Sequence, residues 1–193
     1  LLTTIATAEI DGKEVAWDIK IGYIRLQIVA GIDTTWSAIG SGLWHSAQHN
    51  DEVQRLVAVP NDDPLWTTAN EEVLRYYAPV TMARKVINDV EIAGCPMRAG
   101  EQTLVTFPAA NHDPAAFEDA HIFQLDRQDN RHVAFGVGIH RCAGSNLARL
   151  EMLVAFQEWL RAFPNYSLDK SKKTTWANGQ VRGPREIPVL LNR

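Results

Sequence analysis

The chain has 193 residues, of which 46% are hydrophobic and 22% charged, and its formal net charge is −4. Such apolar content supports a packed core and excludes wholesale disorder, while mild acidity excludes a dedicated nucleic-acid binder, which carries a basic excess. Two cysteines, Cys95 and Cys142, exclude a disulfide framework, and no apolar run reaches the ~18 residues of a membrane span.

Taken in chain order, Asp11-Gly12 marks a turn. Residues 17–49 then run without proline, with Ile21, Ile24, Ile28, Ile32, Ile39 and Leu43 at helical spacing. One helix of roughly 30 residues is predicted, about 45 Å long at 1.5 Å per residue. Gly31 in its middle costs about 1 kcal/mol relative to Ala and so needs a reason. Shorter helices are predicted over residues 51–57 and 64–77, stopped by Pro60 and Pro79. Across residues 80–107 the period shortens, and Val86, Val90, Ile92, Thr103, Val105 and Phe107 predict short strands with turns at Asn88-Asp89 and Arg98–Gly100. A polar loop follows, then a tight glycine loop around Cys142. A helix with Leu147, Leu150, Val154, Leu160 and Phe163 on one side comes next, and the tail from Pro164 is predicted as loop and short strand. The class is mainly α with a small β element.

Three stretches could carry chemistry. Phe135-Gly136-Val137-Gly138-Ile139-His140-Arg141-Cys142-Ala143-Gly144 bends tightly at its glycines and sets a thiol just ahead of a helix amino terminus. That position favours a negatively charged sulfur, as nucleophile or metal ligand; a buried cysteine beside a turn is the plainer reading. Zinc held by Cys142 with His132 or His140 fails on ligand count, because Cys95 has no partner at short spacing. Glu72 and Arg75 share a helix face, which alone suits a solvated ion pair worth under about 1 kcal/mol. Ala30, Gly31 and Thr34 make a shallow dent on the long helix, with Asp33 beside the Thr34 hydroxyl. Close helix packing would explain the small residues equally well.

Together the three resemble the cytochrome P450 superfamily of haem-thiolate monooxygenases, over essentially the whole chain. Phe135, Gly136, Gly138, His140, Cys142 and Gly144 match its haem loop, Glu72 and Arg75 its Glu-x-x-Arg helix, and Ala30 through Thr35 its oxygen-activation segment. The stretch Asn111-His112-Asp113-Pro114 through Phe117, with Phe123 and Arg127, is similar to the meander before that loop. The resemblance implies the carboxy-terminal portion of the fold, so that residues 1–193 form a partial haem domain. The opening Leu1-Leu2-Thr3-Thr4, without initiator Met or signal-peptide pattern, is expected to continue a longer chain.

The same resemblance implies roles. Cys142 becomes the axial ligand of haem b, favouring O–O cleavage, with amides beyond it bonding the sulfur. Phe135 packs beside the haem, Gly136, Gly138 and Gly144 admit it, and His140 and Arg84 pair with its propionates. Ala30 and Gly31 leave room for O2, while Asp33 and Thr34 relay protons to it. Glu72, Arg75 and Arg127 form a structural charge network. Leu26, Pro79, Val80, Thr81 and Val181, with Gln180 nearby, line a pocket for a small hydrophobic substrate.

Electrons come ultimately from NAD(P)H through a ferredoxin or flavodoxin-type donor. Residues 1–121 carry 8 basic and 17 acidic side chains, whereas residues 122–193 carry 11 and 6. Arg131, Arg141 and Arg149 therefore suit steering of an acidic partner. A cytoplasmic enzyme is expected. The alternative is a truncated, non-catalytic haem-binding or partner-binding remnant.

Overall fold

A computed structural model describes residues 1–192. Helix α1 (Leu2–Ala6) and a hairpin of β1 (Glu9–Ile10) and β2 (Lys13–Glu14) lead into α2 (Trp17–Ser46), a helix of 30 residues. Lys20 ties the first turn of α2 to what precedes it. Its side chain is buried, and Nζ donates to the Ala6 carbonyl (2.7 Å) and to Glu14 Oε1 (2.8 Å). Helices α3 (Asn50–Val57) and α4 (Pro64–Tyr77) follow. Asp63 caps α4 by accepting from the Leu65 amide (2.8 Å), and Pro64 occupies the first turn, where no N–H is needed. The helix ends at Ala78, ahead of Pro79.

Residues 80–107 are short strands as expected: β3 (Met82–Lys85) pairs antiparallel with β6 (Gln102–Val105), enclosing the hairpin of β4 (Val90–Ile92) and β5 (Cys95–Met97). That hairpin reverses at Ala93-Gly94, both left-handed at φ 51° and 79°. Asn88-Asp89 joins β3 to β4 with a bend at Asn88, and Asp89 accepts from the Ala99 amide at 2.8 Å. After α5 (Phe107–Ala110), the meander and a single 3-10 turn (Gly138–His140), α6 (Ser145–Ala162) crosses the molecule. The tail holds β7 (Ser167–Leu168), β8 (Thr175–Asn178), β9 (Arg182–Glu186) and β10 (Val189–Leu190), paired as β8–β9 and β7–β10.

The core lies where α2, α3, α4 and α6 meet, around Ala38, Val53, Leu56, Trp66, Leu74, Met152, Phe156 and Leu160. On α6 the expected face is divided. Leu160 is buried and Phe163 packs against the core as part of it, joined by Met152 and Phe156, whereas Leu147, Leu150 and Val154 are 60, 56 and 47% exposed. This helix carries apolar side chains on two sides, and spacing alone cannot say which of them meets the core. Helix α2 is divided lengthwise. From Ser37 onward it is packed, but between Lys20 and Ser37 no residue is buried, and Leu26, Val29 and Ile32 stand open.

Two glycines of the packed half explain themselves by contact. A Cβ at Gly42 would lie 2.4 Å from Phe156 Cζ, and one at Gly40 3.0 Å from Pro184 Cγ. At Gly31 a Cβ meets nothing within 4 Å. Close packing therefore accounts for Gly40 and Gly42. Gly42→Ala is expected to destabilise by about 1–3 kcal/mol through overpacking. Gly31→Ala is expected to gain up to ~1 kcal/mol of helix propensity. Urea midpoints of the two variants check both signs.

Candidate functional site

The Cys142 loop is shaped by backbone bonds and glycine. Gly136 and Gly138 both sit at φ 68°, a region costly for other residues. The Cys142 amide donates to the Phe135 carbonyl (2.8 Å), and the Arg141 amide to that of Gly138 (3.1 Å). Cys142 is a free, exposed thiol on the loop that leads directly into α6, which corrects the plainer reading of a buried cysteine. Gly144 stands beside it, where a Cβ would approach Sγ to 3.9 Å. The Ser145 amide turns to the Cys142 carbonyl (3.4 Å), not to its sulfur. His140 and Arg84 are both exposed, the Arg84 guanidinium reaching only its neighbour's carbonyl at Ala83 (2.9 Å).

Behind the loop lies a second cluster that the sequence did not single out. Glu71 accepts from Arg149 Nε (2.6 Å) and Nη2 (2.9 Å) and from His132 Nε2 (2.9 Å). The Ala134 amide donates to His132 Nδ1 (3.2 Å), which fixes the imidazole proton on Nε2. Arg149 also lies over the Phe135 ring, 4.6 Å from its centroid. So Arg149 is committed inward, and of the three arginines flanking the loop only Arg131 and Arg141 remain exposed. Motif reading missed this cluster because its members are 61 and 78 residues apart.

Burial pushes the Glu71 carboxyl up, but the His132 and Arg149 donors and the Arg149 charge outweigh it and hold it at about 2. The sign follows from linkage. A depressed carboxyl contributes stability that is present above its ordinary value of 4.5 and is lost as pH falls toward about 2. With solvent screening, Glu71→Gln is expected to cost roughly 1–2 kcal/mol at neutral pH. The gap from the parent should close across that acid window in urea titrations.

The Glu72–Arg75–Arg127 network is assembled completely. Arg75 donates Nε and Nη2 to the two Glu72 oxygens, each at 2.8 Å, and Arg127 Nε reaches both at 3.1 and 3.2 Å. Asn130 Nδ2 (3.1 Å) and the Gln124 amide (2.9 Å) complete the carboxylate's shell. Outward, Arg75 bonds the carbonyls of Asn111, Ala120 and Ile122, and Arg127 those of Glu118, Asp119 and Ile122. Glu72 and Arg75 are wholly buried, so a solvated surface pair is excluded.

On α2, Thr34 Oγ1 donates to the Ala30 carbonyl at 2.6 Å. Asp33 is not turned to Thr34; its carboxylate is gripped by Arg185 of β9. Pro79, Val80, Thr81 and Val181 are brought together by an antiparallel bridge between Val80 and Val181. Thr81 N–H donates to the Gln180 carbonyl (2.9 Å) and Arg182 N–H to that of Pro79 (2.7 Å). Leu26 stands 61% exposed on the bare half of α2. Away from these segments, the half-buried Tyr77 hydroxyl, His45 and Glu52 form a hydrogen-bonded chain with both steps at 2.8 Å. Burial raises the Tyr77 phenol above its ordinary range.

Comparison with known proteins places this geometry. The cytochrome P450 family model matches residues 61–188, and the chain belongs to that family, as a carboxy-terminal portion of its fold. It is 35% identical to the polyketide biosynthesis cytochrome P450 PksS of Bacillus subtilis, over 100% of this chain and 48% of that protein. It is 34% identical to a steroid C26-monooxygenase of Mycolicibacterium smegmatis, over 99% of this chain and 47% of the other. The solved PksS structure superposes with a TM-score of 0.89 over 99% of this chain and 50% of that one. The structure of cytochrome P450 CYP101C1, at 30% identity, gives 0.91 over 100% and 49%. The chain thus spans about half the length of the relatives it matches.

Proposed function

We propose that this chain carries the cysteine-ligand portion of a haem-thiolate monooxygenase that oxidises a hydrophobic organic substrate. The observation that carries the reading is the free Cys142 thiol, presented on a glycine-turned loop ahead of α6. The residues present fit haem b. The sulfur is uncommitted and soft, suited to iron, and the loop's Val137 and Ile139 expose apolar surface beside it. In this reading residues 1–193 are one partial haem domain.

Haem b, when bound, would supply the redox chemistry of oxygen activation. Cys142 would hold the iron through its sulfur, on a loop steadied by the Cys142–Phe135 backbone bond. Phe135, with the Arg149 guanidinium over its ring, would pack beside the haem, and exposed His140 and Arg84 would take its propionates. Thr34 donates its proton to the Ala30 carbonyl, which leaves its oxygen lone pairs open to accept a proton donor, and with the neighbouring Asp33 it would relay protons to bound O2. Pro79, Val80, Thr81 and Val181 offer an apolar wall held rigid by the β bridge, with Leu26 contributing from α2. The relatives' names speak of polyketide biosynthesis and of steroids, both consistent with a small hydrophobic substrate.

Exposed Arg131 and Arg141 suit an acidic ferredoxin or flavodoxin-type donor relaying electrons from NAD(P)H. Two free thiols fit a reducing, cytoplasmic setting, and among the described residues no helix is long and apolar enough to cross a membrane. A non-catalytic haem-binding module is the alternative. The reduced carbon monoxide difference spectrum after haem loading tests the reading. The band of thiolate-ligated haem supports it, and product formation with a donor system separates the enzyme from the module. Absence of haem uptake removes both.

A further inference from the structure

We propose that Arg185 is a positioning residue for the Asp33 carboxylate, a latch supplied by the carboxy-terminal hairpin. The inference rests on the reading of Asp33 and Thr34 as the proton relay. Arg185 donates Nη1 to Asp33 Oδ1 and Nη2 to Asp33 Oδ2 (3.2 Å), a bidentate pair that occupies both carboxylate oxygens. Nη1 also reaches Ser37 Oγ at 3.4 Å, one turn along α2, and the guanidinium lies 5.8 Å from the Trp36 ring centroid.

The backbone is built to deliver this side chain. Across the β8–β9 hairpin, Thr175 faces Glu186 but Trp176 faces Pro184, so Arg185 is the extra residue of a β-bulge. A bulge leaves its residue unpaired and re-aims the side chain. The strand around it is pressed onto α2. A Cβ at Gly183 would lie 2.5 Å from Ser37 Cβ, and Pro184 closes on Gly40. These contacts fix β9 against the helix, so the aim of Arg185 does not depend on a mobile surface side chain.

A carboxylate held at both oxygens keeps one orientation while ionised. Without the guanidinium the Asp33 side chain is free to turn to other rotamers on the exposed face of α2. Arg185 touches no reacting atom and acts only through Asp33.

The test uses the haem-loaded protein with Asp33→Asn, Arg185→Met, Arg185→Lys and the Asp33→Asn/Arg185→Met double variant. Hydrogen peroxide released per NAD(P)H consumed and the solvent deuterium isotope effect on product formation are measured. Arg185→Met is expected to raise both several-fold, Arg185→Lys to recover part of the loss, and the double variant to be no worse than Asp33→Asn alone. If Asp33→Asn raises both and Arg185→Met neither, the latch is overturned and the relay stands. If Asp33→Asn raises neither, the relay reading itself falls. Independently of turnover, urea denaturation of the same four variants without haem must show coupling between the two positions; additive effects there overturn the pair.

Discussion

Replacing Glu72 by alanine is expected to lower stability by roughly 3–5 kcal/mol, a large part of a typical domain's 5–15 kcal/mol. The size follows from what is left behind. Arg75 and Arg127 are 0 and 8% exposed, and both would keep their charge with no carboxylate between them. They would still hold carbonyls of the meander, but the Gln124 amide and Asn130 would lose their acceptor. Glu72→Gln keeps the volume and loses the charge, so it too should be strongly destabilising. The exposed Arg55–Asp126 pair, at the same 2.8 Å, sets the contrast: its side chains are 52 and 60% exposed. Breaking it should cost under about 1 kcal/mol. Urea midpoints of the three variants measure this order.

Cys142→Ser is expected to do the reverse. Cys142 is exposed, and its loop is held by backbone bonds that serine also makes. Stability without haem should stay within about 0.5 kcal/mol of the parent, as for surface substitutions generally. The thiolate-type carbon monoxide band should vanish entirely, since a hydroxyl is a far poorer ligand for iron than a thiolate. A variant that folds and keeps the band would remove Cys142 from the iron. The two substitutions lie on neighbouring elements of one site, yet one acts on the scaffold and the other on the ligand.

Glu72, Arg75 and Arg127 were legible as a network only through the family resemblance, since spacing alone reads the first two as a solvated pair, whereas the glycine-bent thiol loop was legible from its own residues. Helix bounds at Trp17, Pro64 and Tyr77 came from periodicity and proline, which are local signals. The failures are of another kind. Leu147 and Met152 are both apolar on α6, and only the packing of α2 and α4 decides which is covered. The Glu71–His132–Arg149 cluster and the Asp33–Arg185 pair join residues whose separation along the chain is large, 152 in the last case. Nothing at either position announces the other.

The packed end of α2 fixes how its backbone should exchange with solvent. From Ser37 to Ser46 the helix is held by β9, α4 and α6, and Gly40 and Gly42 let Pro184 and Phe156 close on it. Amides there cannot open without parting the core, so their hydrogen exchange should report unfolding of the whole unit and should slow or quicken with every substitution that shifts global stability.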